Sequence, residues 1–326
     1  MIDGGALSIE IIQTQKGPAV EIDAPPMVSL CRMLAGKSPA DAGRMAGAVY
    51  ARSSSSEAAA IAAATGQPID EGLLRGMVVE ALHGHAVKML AAWPAALGHR
   101  SAPVPAPGTD NPISLASALF GDTPPPGRIA EFEAWMKRGA TPAARVLDEV
   151  WQHWDARWGR AALPLWSPGQ KLGRVDWAAA VIDGDVADTG LVARVGDSDL
   201  MREIEARRGR GIVWRLAARI VDAGRLLDRL RENRLDDLAF HVQPGVGAAL
   251  APNGTVLVEA ETEGEAISRY QRLSPADFAL HPGGLMHKAL ATLPKRSRAP
   301  LGAIAGLIIE AIDPGIPTRL TAPERR

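Results

Sequence analysis

The chain owns a single cysteine, Cys31, among 326 residues. One thiol makes no intramolecular disulfide, and no Cys-x-x-Cys metal, redox or iron–sulfur site. Net charge is also missing. Thirty-six Lys and Arg face 37 Asp and Glu, a formal −1, so no field gathers nucleic acid or anionic lipid. Neither nucleic acid nor a membrane is expected as a partner. Long apolar runs are absent too. Gly302–Ile309 falls far short of the roughly 18 uncharged residues of a spanning helix. Met1-Ile2-Asp3-Gly4-Gly5 offers no basic leader. A cytoplasmic protein is expected.

What is present reads mainly as helix. Residues 7–22 alternate loosely and break at Lys16-Gly17-Pro18, a β-hairpin. Residues 27–35 predict a short helix closed by Gly36. Ser38 is placed to cap the next helix, with Pro39 at its first position, where a missing N–H costs nothing. Alanine dominates 42–65, interrupted by four serines, 53–56. Serine bonds nearby backbone and favours caps, so the helix is expected to break there, with Ser56 or a neighbour capping the next one. Residues 70–97 predict one long helix. A proline-rich linker spans 101–127. Helices follow over 128–138 and 141–160, and again over 196–233 with a break at Gly209-Arg210-Gly211. Val242 to Gly247 reads as a glycine-rich loop, 255–273 as a second hairpin, and 274–284 as irregular. A last helix over 299–312 stops at Asp313-Pro314. The fold class is α+β, predominantly α. It is expected as one unit over 1–326: hairpin 7–22, helical region 27–98, linker 101–127, helical middle 128–240, and a 242–326 region of loop, hairpin and closing motif.

No single cluster builds an active site. His83 and His85 lie two apart on a helix, where a metal pair wants four. Trp151, Trp154 and Trp158 fall on one helix face and predict core packing. Asp183, Asp185 and Asp188 have no glutamate at calcium-loop spacing. Glu259, Glu261, Glu263 and Glu265 alternate as a solvated sheet face would.

Two ends of the chain carry a pattern together. Gly36 to Glu57 reads GKSPADAGRMAGAVYARSSSSE. It resembles the first metal-site segment of the nickel–iron hydrogenase large subunit, where an Arg-x-Cys-Gly-x-Cys-x-x-x-His motif runs into an alanine-rich helix. Ile312-Asp313-Pro314-Gly315-Ile316-Pro317-Thr318 resembles that family's closing Asp-Pro-Cys-x-x-Cys, and Ala251-Pro252-Asn253-Gly254 its Ala-Pro-Arg-Gly loop. Ser268-Arg269-Tyr270-Gln271 and Leu273-Ser274-Pro275 are similar to the segment before that close. The resemblance implies that these segments meet around one pocket, with Tyr50, Ser53, Asn253 and Gly315 lining it.

The departures are systematic. The family's N-terminal cysteines fall on Tyr50 and Ser53, its histidine on Glu57, and its C-terminal cysteines on Gly315 and Thr318. The arginine poised over the metals falls on Asn253, and a glutamate of its magnesium site on Cys31. Tyr, Ser, Gly and Thr do not replace a soft thiolate for nickel or low-spin iron. The sequence resembles the shortened large-subunit homologues of the HupK and HoxV type, in its length and in the phrases Leu90-Ala91-Ala92-Trp93-Pro94-Ala95-Ala96-Leu97-Gly98 and Phe278-Ala279-Leu280-His281-Pro282. The resemblance implies a non-enzymatic accessory role in hydrogenase maturation, with maturation chaperones or hydrogenase subunits as partners. No resident metal or cofactor is expected. Two other readings stay open: a transient carrier of an iron–cyanide–carbonyl fragment through Cys31, and an enzyme using Glu57 and Asp313 as acid and base. The vacated pocket is expected to be empty, with Tyr50 filling part of it. Cys31 is expected either as a small buried hydrophobe or as an accessible thiolate near that pocket.

Overall fold

The structure, a computed structural model, describes residues 5–26 and 29–323. It opens with strands β1 (Leu7–Thr14) and β2 (Gly17–Asp23), the expected hairpin. Leu7, Ile9 and Ile11 of β1 are buried and alternate with exposed neighbours, which gives the sheet one apolar face. Helix α1 (Cys31–Leu34) is shorter than expected, and residues 27 and 28 lie outside the described residues. Helix α2 (Pro39–Val49) begins as the sequence implies: Ser38 Oγ accepts the Asp41 N–H at 3.2 Å.

The break before α3 (Ser54–Ala64) comes at Tyr50 to Ser53, slightly earlier than expected, and no side-chain cap closes it. The serines act sideways instead. Ser55 meets Glu80 through both N–H and hydroxyl, at 3.0 and 2.8 Å, and Ser56 Oγ donates to Leu250 O at 2.7 Å. The alanines are small for a reason. Ala59, Ala60, Ala63 and Ala64 are buried, and the α3 backbone rests directly on Gly247, where any Cβ would strike Ala60 O and Ala64 N.

Helix α4 (Glu71–Val87), capped by Asp70, runs through a π-helical turn at Lys88–Ala92 into α5 (Trp93–Ala96). The linker is not structureless. It holds α6 (Pro112–Phe120), with Asn111 Oδ1 capping two N–H groups and Pro112 at the first position. Helices α7 (Ile129–Arg138) and α8 (Pro142–His153) follow. The expected helix to 160 stops at His153, so the tryptophan stripe does not form. Trp151 packs edge-on to Phe132 under Arg208, while Trp154 pairs with Trp158 beyond the helix.

A short hairpin, β3 (Val175–Asp176) and β4 (Val181–Ile182), leads to α9 (Leu191–Val195), α10 (Asp199–Arg208) and α11 (Ile212–Glu232). The Gly209–Gly211 break separates the last two as expected. Helix α11 is buried along most of its length, Arg215, Arg219 and Asp222 included. The expected glycine-rich loop is instead a turn between strands. β5 (Ala239–Gln243), β6 (Val246–Ala251), β7 (Gly254–Glu263) and β8 (Ala266–Leu273) form an antiparallel meander, the last two being the expected hairpin. The stretch expected to be irregular carries α12 (Pro275–Leu280), started by the Ser274/Asp277 capping box, and α13 (Leu285–Leu290) follows it. Helix α14 (Leu301–Ile312) leads to β9 (Thr318–Thr321), which pairs in parallel with β1, Leu7 opposite Thr318. The two ends of the described chain are thus joined in one sheet. Among the described residues no helix is long and apolar enough to cross a membrane.

Candidate functional site

The loop Ala251-Pro252-Asn253-Gly254 joins β6 to β7 and is pinned on all sides. Pro252 packs on Gly84 of α4, where a Cβ would come to 2.9 Å. Arg194 donates to Ala251 O at 3.0 Å and Gly254 O at 3.1 Å. Gly254 has φ +150°, and a Cβ there would strike Thr189 O, so only glycine fits. Asn253 Nδ2 donates to Asp313 O at 3.1 Å, and a Cβ on Gly315 would lie 2.9 Å from the same nitrogen. The loop and the closing motif therefore touch, across 60 residues of chain.

Asp313 is the centre of a buried ion cluster. It caps α14 in the left-handed conformation at φ 52° and is 1% exposed. Arg219 Nη2 donates to Oδ2 at 2.8 Å, and Lys88 Nζ lies 2.9 Å from Oδ1 and 2.8 Å from Glu310 Oε2. Arg52 reaches Oδ1 at 3.8 Å from the solvent side. Burial alone would raise the Asp313 carboxyl, but Lys88, Arg219 and Arg52 together hold it well below the usual range. On the far side, Arg219 Nη1 donates to His85 Nδ1 at 2.9 Å. That contact fixes the tautomer: His85 Nε2 carries the proton and donates to Asp222 Oδ2 at 2.6 Å. Burial depresses His85 to about 4, so the ring is neutral at pH 7 and this is a hydrogen bond, not an ion pair. Asp222 takes its charge partner from Arg194, whose Nε donates at 2.7 Å.

The N-terminal motif forms a second cluster. Arg272 grips Glu57 with two bonds, Nε to Oε2 at 2.8 Å and Nη2 to Oε1 at 2.6 Å. Glu57 is fully buried, and Ser53 Oγ donates to it at 3.3 Å. The guanidinium also stacks on Tyr50, 3.8 Å above the ring centre. Burial raises the Tyr50 phenol, with Arg272 opposing. Burial would likewise lower Arg272, but Glu57 outweighs it and the guanidinium is raised. Arg52, next to Ser53, links this cluster to Asp313.

The expectation of an empty pocket between the motifs is corrected. Four cations, Arg194, Lys88, Arg219 and Arg272, and four carboxylates, Asp222, Asp313, Glu310 and Glu57, occupy that region in pairs. Open space lies instead on the other side of Tyr50, in a cleft of about 430 Å³ between β8, α12 and the β3–β4 turn. Thr318 stands apart: its hydroxyl donates to Ile316 O and its backbone belongs to β9. For Cys31 the expected buried hydrophobe is corrected: the thiol is exposed on α1, next in the chain to Ser29 and Leu30 of the cleft wall. Among the described residues no three His, Cys, Asp or Glu side chains are grouped to hold a metal ion. The donor set does not fit a nickel–iron centre. Phenol, hydroxyl, carboxamide and a bare glycine stand at the motif positions, and the chain's only thiol is elsewhere.

The reading from sequence missed the ion cluster. Arg215, Arg219 and Asp222 fall at i, i+4 and i+7, on one face of the otherwise uncharged stretch Ile212–Gly224 of α11. Charges so placed in an apolar helix have to pair indoors, and that was the available signal.

No family model matches the chain. It is 25% identical over 316 residues, 95% of each chain, to the hydrogenase expression/formation protein HupK of Rhodobacter capsulatus. It superposes on the nickel–iron–selenium hydrogenase of D. vulgaris Hildenborough in its as-isolated oxidised state with a TM-score of 0.58 at 14% identity, over 93% of this chain and 95% of that one. An NAD⁺-reducing nickel–iron hydrogenase in its H₂-reduced state gives 0.58 at 15% identity, over 91% and 92%. The chain is thus similar to HupK along nearly its whole length and has the fold of a hydrogenase large subunit.

Proposed function

We propose that this protein is a non-catalytic accessory factor in nickel–iron hydrogenase expression and maturation, acting in the cytoplasm as a large-subunit mimic that docks other proteins of the assembly route. One observation carries the reading. The large-subunit fold is kept, while the region where its end motifs meet is filled by ion pairs of the chain's own side chains. A large-subunit-like frame whose end motifs close on the chain's own ion pairs suits a scaffold or docking partner. The curated relative's name points to the same process. The acid–base reading loses its support, because Asp313 is held ionised by three cations and Glu57 is gripped by Arg272.

The test is a strain lacking the gene for this chain. Hydrogenase activity and large-subunit maturation are expected to fall, with the hydrogenase genes still transcribed. Tagged protein is expected to retain a maturation chaperone or hydrogenase subunit on purification. Normal activity in the deletion strain would contradict the role. The exposure of Cys31 favours one second reading, a carrier of an iron–cyanide–carbonyl fragment through that thiol. Full complementation by Cys31→Ala would remove it.

A further inference from the structure

The geometry points to the cleft beside Tyr50 as a binding site for an uncharged, extended peptide segment of another protein; this rests on the docking role above. The cleft is open to solvent, and its floor is the end of β8. Tyr270 and Arg272 sit there two residues apart, on one face of the strand. Tyr270 is 4% exposed and the Arg272 side chain 10%, and among the described residues each has a donor without a partner. The Tyr270 hydroxyl is buried and has no hydrogen-bond partner among the described residues. Glu57 takes Nε and Nη2 of Arg272, and Nη1 has none among the described residues. A buried donor left unmade is costly, so a ligand acceptor is strongly favoured. His281 also lines the cleft and offers a third donor. Its Nδ1 accepts the Gly283 N–H at 2.9 Å, which leaves the proton on Nε2.

Charge and spacing select the ligand. Glu57 already neutralises Arg272, and Asp277 adds a carboxylate to the rim, so a phosphate or carboxylate finds no spare cation. Uncharged carbonyls remain. Donors at i and i+2 of a strand lie roughly 7 Å apart, the spacing of alternate carbonyls along an extended peptide. Asp277 Oδ2 is spent on Ser274, at 2.7 Å to the N–H and 2.6 Å to the hydroxyl, and Oδ1 is left to accept a peptide N–H. Leu273, Leu280 and Trp177 give the walls apolar surface for a side chain.

A phage-displayed library of random linear peptides, panned on the full chain, tests this. Enriched sequences are expected to be uncharged, and a capped synthetic copy to bind in fluorescence anisotropy. Ala179 is exposed on the rim, so Ala179→Trp is expected to block the cleft without disturbing the fold and to weaken binding at least tenfold. Tyr270→Phe is expected to weaken it about fivefold, the worth of one neutral hydrogen bond. Its melting temperature is expected to hold or rise, since the removed hydroxyl has no partner. No enrichment, enrichment of acidic peptides, or binding indifferent to Ala179→Trp would each overturn the assignment. None of these readouts uses hydrogenase activity, so the cleft can fail while the accessory role stands. Complementation of the deletion strain by Ala179→Trp would show that outcome directly.

Discussion

Arg219 and Asp313, 94 residues apart, meet at 2.8 Å with side chains 1% and 2% exposed. One lies mid-way along the most buried helix, and the other ends the helix before the closing motif. Their pairing seats the C-terminal motif against the body of the protein. Arg219→Met should leave Asp313 partly unpaired in the interior and lower stability by about 3–5 kcal/mol, read by urea denaturation. The double variant Arg219→Met with Asp313→Asn should cost clearly less than the sum of the singles. Strict additivity would show that the pair is not coupled.

Acid should weaken the fold in a defined window. His85 titrates near 4 in the folded chain against an ordinary 6.5, so between those values the unfolded chain binds more protons. Stability should therefore fall as pH drops from about 6.5 to about 4, by up to about 3 kcal/mol from this ring. His85→Gln should flatten that slope. Asp313 and Asp222, both depressed, contribute stability above the ordinary carboxylate range that is lost only at lower pH still. An unchanged slope in His85→Gln would place the titration elsewhere.

Gly247→Ala should be among the most damaging small substitutions. Its Cβ would strike the α3 backbone, which cannot give way as a side chain can. A loss of about 3 kcal/mol or more is expected by thermal or urea unfolding, at the upper end of overpacking costs. Ala179→Gly, on the exposed turn, should stay within about 1 kcal/mol of the parent.

Putting thiols back should not rebuild a metal site. In a variant with Cys at positions 50, 53, 315 and 318, Arg272 and Arg219 still hold Glu57 and Asp313. Gly315 has φ +74°, and a side chain there would press on Asn253. The variant should be less stable than the parent and bind nickel no tighter than an unfolded thiol peptide, measured by competition with a chelator. Tight stoichiometric nickel would contradict the view that ion pairs occupy the region.

How much of this was legible in the residues varies with the range of the interaction. Ser38-Pro39, Gly36 and Asp313-Pro314 mark helix ends through their own backbone chemistry, and those boundaries stand. The motif likeness put Asn253 beside Gly315, and the two do touch. Asn111-Pro112 carried an equally local helix signal, overshadowed by the surrounding prolines. The sheet from β5 to β8 was half hidden because β6, GAAL between two apolar residues, is buried on both faces and shows no alternation. The ion cluster was least legible. Arg194, Arg219 and Arg272 find their partners 28, 94 and 215 residues away, and no local pattern encodes such pairings.

The central claim is that this large-subunit-like frame closes on its own ion pairs and holds no nickel–iron centre. Elemental analysis and infrared spectroscopy of the protein, purified after expression beside the complete hydrogenase maturation machinery, test it most directly. The account predicts no stoichiometric nickel and no cyanide or carbonyl stretching bands. Stoichiometric nickel, or such bands that vanish in Cys31→Ala, would contradict it.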